Sequence, residues 1–142
     1  MTATGTVLSN KEETDTSKIK VLYCPAWAKP GIREIENTLG AMQKLVGGYI
    51  EVVMLQDEPE LVLVCDEEGL LKQRSTNLSV PDLRQFRRPQ TPIFGDCFIC
   101  SANEEGEFVS IPDEVGKNLL DSALNNEEYV KYVKKMVSKW LT

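Results

Sequence analysis

Histidine is absent from all 142 residues. That removes Ser-His-Asp and Cys-His nucleophile systems, histidine-ligated metals and the commonest general base at once. Any catalysis would have to run on carboxylates, Lys, Tyr or Cys. Long apolar runs are missing as well: no stretch approaches the roughly 18 to 20 apolar residues that cross a bilayer. The first residues, rich in Thr, Ser and acids, lack a basic region followed by an apolar one. The expectation is a cytoplasmic protein with no membrane contact. Basic charge is scarce, with 16 Lys and Arg against 22 Asp and Glu for a net charge of −6. This argues against a general nucleic-acid binder, whose affinity rests on clustered cations, yet is modest for a DNA mimic. A phosphate-cradling glycine loop is also lacking, because Gly47-Gly48 follows a helical pattern where such a loop would precede one.

What is present reads as one α+β domain over residues 18–142, preceded by a polar stretch, residues 1–17, too poor in large apolar groups to order itself. Lys18 to Cys24 has strand composition, and Pro25 to Gly31 turns the chain back along Ile32 to Glu36. Trp27, in that turn, is expected to lie over the core, with ligand stacking as the alternative. Asn37 stands where a helix N-cap belongs, Leu39, Met42 and Val46 recur at helical spacing, and Gly47-Gly48 supplies a left-handed stop, so a helix is predicted over 38–46. Tyr49 to Leu55 follows as a strand. Leu61 to Cys65 is apolar at every position, which predicts a central strand covered on both faces, paired with its predecessor through Glu58-Pro59. Ile93 to Ser101 and Glu107 to Ile111 read as a second hairpin. Pro112-Asp113-Glu114 opens a helix with its cap near Ser110 or Ile111, and Asn125 or Asn126 caps a last one. The expected architecture is a mixed or antiparallel sheet of five or six strands, one helix laid on it, and two C-terminal helices.

Cys24, Cys65, Cys97 and Cys100 all fall in or beside predicted strands, where a reduced thiol behaves as a small hydrophobe. Cys97-Phe98-Ile99-Cys100 matches C-x-x-C, yet residues three apart on a strand face opposite ways, which suits neither a redox pair nor a zinc clasp. The acidic groups Asp57-Glu58, Asp66-Glu67-Glu68 and Glu104-Glu105 sit at strand ends and hairpin tips, where charge is ordinarily solvated. No metal, cofactor or catalytic residue is therefore assigned.

The run E-I-E-N-T-L-G-A-M-Q-K-L-V-G-G-Y-I-E-V-V from Glu34 to Val53 resembles the core of an uncharacterised family of small domains found in phages, plasmids and other mobile elements of bacteria. The likeness continues through Asp66-Glu67-Glu68-Gly69, Asn77, Gly95 before Asp96 to Cys100, and Asn103 to Glu114, so it spans roughly residues 18–114. Residues 115–142 then form a helical extension. Gly40 departs from a Glu common in the family, and Ser79 to Gln90 is longer than usual. The family is similar to domains of polyvalent phage proteins, which implies counter-defence or host takeover inside a bacterial cell, and it transfers no catalytic residue.

One segment stands out in charge. Between Lys72 and Gln90 lie five basic residues, Lys72, Arg74, Arg84, Arg87 and Arg88, against the single acid Asp82, in a chain of net charge −6. Arginine's planar fork suits phosphate or carboxylate, Phe86 adds a stacking surface, and Asn77 offers an amide. These seven residues, Lys72, Arg74, Asn77, Arg84, Phe86, Arg87 and Arg88, are the candidate binding site; a solvated loop balancing an acidic body is the alternative. On the last predicted helix, Tyr129, Val133, Met136 and Trp140 form an apolar stripe able to join copies of the chain. The reading is a non-catalytic accessory protein that binds a host protein or a small anionic ligand such as a signalling nucleotide. The alternatives are a small enzyme using carboxylates and arginines on a phosphate-containing substrate, and an assembly protein working through the last helix.

Overall fold

The computed structural model describes residues 18–58, 60–69, 71, 72, 74–86, 93–126, 131, 134, 135 and 137–139, with Arg84 described by its backbone alone. The expected tail over residues 1–17 and the turn residue Pro59 lie outside these, as do the stripe residues Tyr129, Val133, Met136 and Trp140.

Two hairpins are joined by one later strand. Strand β1 (Lys18–Cys24) pairs antiparallel with β2 (Gly31–Glu36), and β3 (Ile50–Asp57) pairs antiparallel with β4 (Glu60–Asp66). Strand β5 (Cys97–Ala102) then inserts between β1 and β4, giving the order β2-β1-β5-β4-β3, with the short β6 (Phe108–Val109) also on β5. All pairings are antiparallel, and the α+β architecture is the one the sequence predicts. Leu61 to Cys65 is indeed interior and buried, but the middle of the sheet is β5, buried at five of its six positions.

Each face of the sheet is covered by a different layer. Helix α1 (Leu39–Val46) places Met42 and Val46 on Ile19, Val21, Val62, Val64, Phe98 and Cys100. On the opposite face, helix α2 (Asp113–Leu124) brings Leu119 to Leu22, Leu63 and Ile99, while Val80 and Ile93 from the connection between β4 and β5 complete that core. This two-sided cover explains why β4 and β5 carry continuous apolar runs in an antiparallel sheet, where alternation is the more usual pattern.

Several local expectations shift. The N-cap of α1 is Thr38, not Asn37: its backbone is extended and its hydroxyl accepts from the Ala41 N–H at 3.2 Å. The Asn37 amide instead donates to the Phe108 carbonyl at 3.2 Å, tying the helix entrance to β6. Leu39, expected in the core, is the first residue of α1 and is 58 % exposed although its spacing sets it in line with Met42 and Val46. Trp27 is 54 % exposed and so is not a lid. Helix α2 begins after Pro112, whose ring offers no acceptor to cap it, and the Ser110 hydroxyl accepts from the Lys20 N–H. Gly47 does close α1 in the left-handed region, at φ 90°. The predicted strand from Ile93 is shortened to begin at Cys97, because Gly95 turns at φ 85° and Asp96 bonds sideways to the β1–β2 turn.

Candidate binding surface

Asp66 ends β4 with its carboxylate fully enclosed. Oδ1 accepts from the Glu68 N–H at 2.9 Å; Oδ2 accepts from Lys72 Nζ at 3.1 Å and Arg74 Nε at 2.9 Å. Burial works to raise its pKa, but the Glu68 N–H and the two cations outweigh that and hold it below the usual aspartate range. Arg74 Nη2 and Lys72 Nζ also donate to the Gly47 carbonyl, at 2.9 and 3.3 Å. They therefore meet the negative end of α1 as well as a buried anion.

Three glycines make room for this pair. A Cβ at Gly48 would stand 2.5 Å from Lys72 Nζ and 2.8 Å from Asp66 Oδ1. At Gly47 it would lie 2.8 Å from Arg74 Nη2, and at Gly95 2.7 Å from Arg74 Cδ. Gly47-Gly48 thus does more than stop a helix: it admits the side chains that bind the stop to β4. The sequence signal was present in the acid-glycine-basic succession from Asp66 to Arg74, but pairing those residues requires knowing that β4 ends beside α1.

Asn77 performs a second internal task. It is buried, and its amide donates to the Cys24 and Gly95 carbonyls at 2.7 and 2.8 Å, with Cys97 Sγ at 3.7 Å. Its own carbonyl oxygen accepts from the Ser79 N–H at 2.8 Å, and the Ser79 hydroxyl donates to the Pro25 carbonyl. Close by, Asp96 accepts from the Ala26 N–H at 2.8 Å and from the Tyr23 hydroxyl at 3.3 Å. Burial, reinforced by Asp96, raises the Tyr23 phenol. Cys24 and Cys97 face each other across β1 and β5, and the Cys97 thiol is pushed well up by its contact with Cys24 and by burial. Cys100 lies in the core on the opposite face, so the two sulfurs of the C-x-x-C diverge as its spacing implies. All four cysteines are buried and free of disulfides.

The seven residues of the basic segment therefore do not form one described cluster. Lys72 and Arg74 converge on Asp66, Asn77 holds strand ends in the interior, and Phe86 packs at the margin of the Leu63 core. The Arg84 side chain, Arg87 and Arg88 lie outside the described residues.

Phe86 belongs to a feature that sequence reasoning missed. Strand β3 is the last in the sheet, and a groove of about 650 Å³ runs along it, lined by the consecutive residues Glu51 to Asp57 and walled by Gln85 and Phe86. The wall is a single 3₁₀ turn, Leu83–Gln85, anchored to α2 where the Asp82 N–H and Gln85 Nε2 reach Ser122 Oγ at 3.3 and 3.5 Å. Val52 and Met54 are 46 % and 42 % exposed, and Glu51 and Asp57 stand exposed toward its two ends. A bulge between Met54 and Gln56 turns Leu55 fully into the core. The hint in the sequence was the apolar run Val52 to Leu55, which continues across a strand that only a fold can show to be an edge.

A model of a family described as a domain of unknown function, DUF3846, matches residues 19–123. The match extends past Glu114, where the sequence resemblance was expected to stop, and takes in nearly all of α2. No curated protein and no solved structure matches the chain.

Proposed function

Because this chain belongs to the DUF3846 family, whose function is unknown, we propose from its own geometry that it is a non-catalytic binding module that holds a protein partner along β3. The groove beside that edge carries the reading. It offers apolar side chains at Val52 and Met54, acids toward both ends and a wall fixed to α2. By contrast, the polar groups best suited to chemistry are occupied internally: Asp66 by Lys72 and Arg74, Asn77 by two carbonyls, Asp96 by Ala26 and Tyr23. Such saturation suits a scaffold better than an active site, where reactive groups face a substrate.

The resemblance to domains of phages and mobile elements supports a counter-defence role, in which the module occupies a host defence protein in the bacterial cytoplasm. Acids along the groove favour a protein partner over an anionic nucleotide there. The test is phage plating on hosts that carry a defence system, with and without this chain. The wild type should restore plating, and Met54→Glu, with unchanged circular dichroism, should not. Equal rescue by both would move the site away from β3, and rescue lost only on reversing Arg84, Arg87 and Arg88 to Glu would favour an anionic ligand at those residues.

A further inference from the structure

We infer that the β3 groove takes its partner as an added β-strand, an extended apolar segment flanked by basic residues; this rests on the binding reading above. The outer side of β3 is met by no other strand among the described residues, so the sheet ends in a backbone able to continue its ladder. The walls fit an extended chain. Seven consecutive β3 residues line the groove on one side, and Gln85 and Phe86 bound it on the other. Strand addition takes its affinity from the main chain and its selectivity from alternate side-chain positions, here the exposed Val52 and Met54.

Charge decides between a foreign segment and a second copy. In the antiparallel register of two β3 strands centred on Met54, Glu51 of one copy falls opposite Asp57 of the other at both ends, whereas full overlap of Ile50–Asp57 sets Glu51 opposite Gln56. Like charges directly opposed destabilise a strand pair. Self-pairing would also bring two Leu55 bulges into one strand pair, where a foreign strand meets one. A segment with Lys or Arg at both ends brings a cation to each acid instead, and the negative whole chain favours its approach.

The experiment uses the full chain, ¹⁵N-labelled, with the capped peptide Lys-Val-Thr-Val-Thr-Val-Lys, which carries a lysine at each end of an alternating run. The expected result is shifts and slowed exchange at β3 amides, binding that weakens with salt, and affinity roughly tenfold lower when both lysines become glutamates. A peptide N-methylated at alternate backbone nitrogens should not bind. Equal binding of the N-methylated peptide, shifts away from β3, or no shift at all would overturn strand addition. So would concentration-dependent dimerisation that protects β3, since it makes a second copy the occupant. Loss of phage rescue in Met54→Glu with no peptide effect leaves the binding reading standing without strand addition; failure of both removes both.

Discussion

Arg74 reaches Asp66 through its Nε and the Gly47 carbonyl through its Nη2, both at 2.9 Å, so one guanidinium ties the end of β4 to the C-terminus of α1. The carboxylate is enclosed while the two cations remain about one-third exposed. This asymmetry sets what each loss does. Removing a cation leaves the acid one remaining cation and its backbone N–H, whereas removing the acid's charge weakens all three of its bonds.

Asp66→Asn should therefore destabilise the fold by about 2 kcal/mol at neutral pH, in the range of hydrogen bonds to charged groups and discounted for the exposed cations. Because the folded-state pKa lies below the ordinary value of 3.8, this stabilisation is present above that value and is lost as pH falls through the lower folded one. Melting curves of the two proteins should converge in acid. A constant gap down to the lowest pH at which both fold would sink the assignment.

Asn77 separates an internal role from a ligand-binding one. Asn77→Leu leaves the Cys24 and Gly95 carbonyls and the Ser79 N–H without their partner, so the melting temperature should drop by an amount matching about 2 to 5 kcal/mol. A variant as stable as the wild type, with altered binding, would return Asn77 to the surface role its place among the arginines suggests.

The thiols should be silent in the native state. Burial pushes Cys65 to about 11 and Cys100 to about 12, and the contact with Cys24 together with burial raises Cys97 well above 9.0. At pH 8 an alkylating agent should label none of the four until denaturant is added. Since these folded pKa values exceed the ordinary 9.0, their contribution to stability is complete below pH 9 and declines as pH rises toward 11 and 12. Rapid native labelling at any one would show that its core opens locally.

Hairpins and helix stops were legible because their causes are local: Pro25 to Gly31 turns, Gly47 adopts a left-handed backbone, and Gly106 at φ 82° closes the turn before β6. The position of β5 was not, since nothing in Cys97 to Ala102 announces that it will join two separate hairpins. The basic segment misled for the same reason. Net charge along the sequence takes no account of Asp66, only six residues before Lys72 yet on another element, nor of the glycines that let Lys72 and Arg74 turn inward. The groove was hidden because edge position is a property of the sheet.

That edge position supplies the last prediction. Leu63 and Val52 are both apolar residues of one hairpin, on adjoining strands, yet Leu63 is wholly buried between β3 and β5 while Val52 is 46 % exposed on the outermost strand. Leu63→Ala removes buried methyl groups from a site packed on both flanks and should cost roughly 2 to 5 kcal/mol. Val52→Ala gives up little buried area and should stay within about 0.5 kcal/mol. Once a strand is seated on β3 the order of effects reverses for binding, because Val52 then lies between two strands and its truncation should weaken the complex while leaving the free domain unchanged. Chemical denaturation of both variants, followed by titration with the basic peptide, checks the two halves separately. Equal destabilisation by the two substitutions would mean that β3 is not the edge of the sheet.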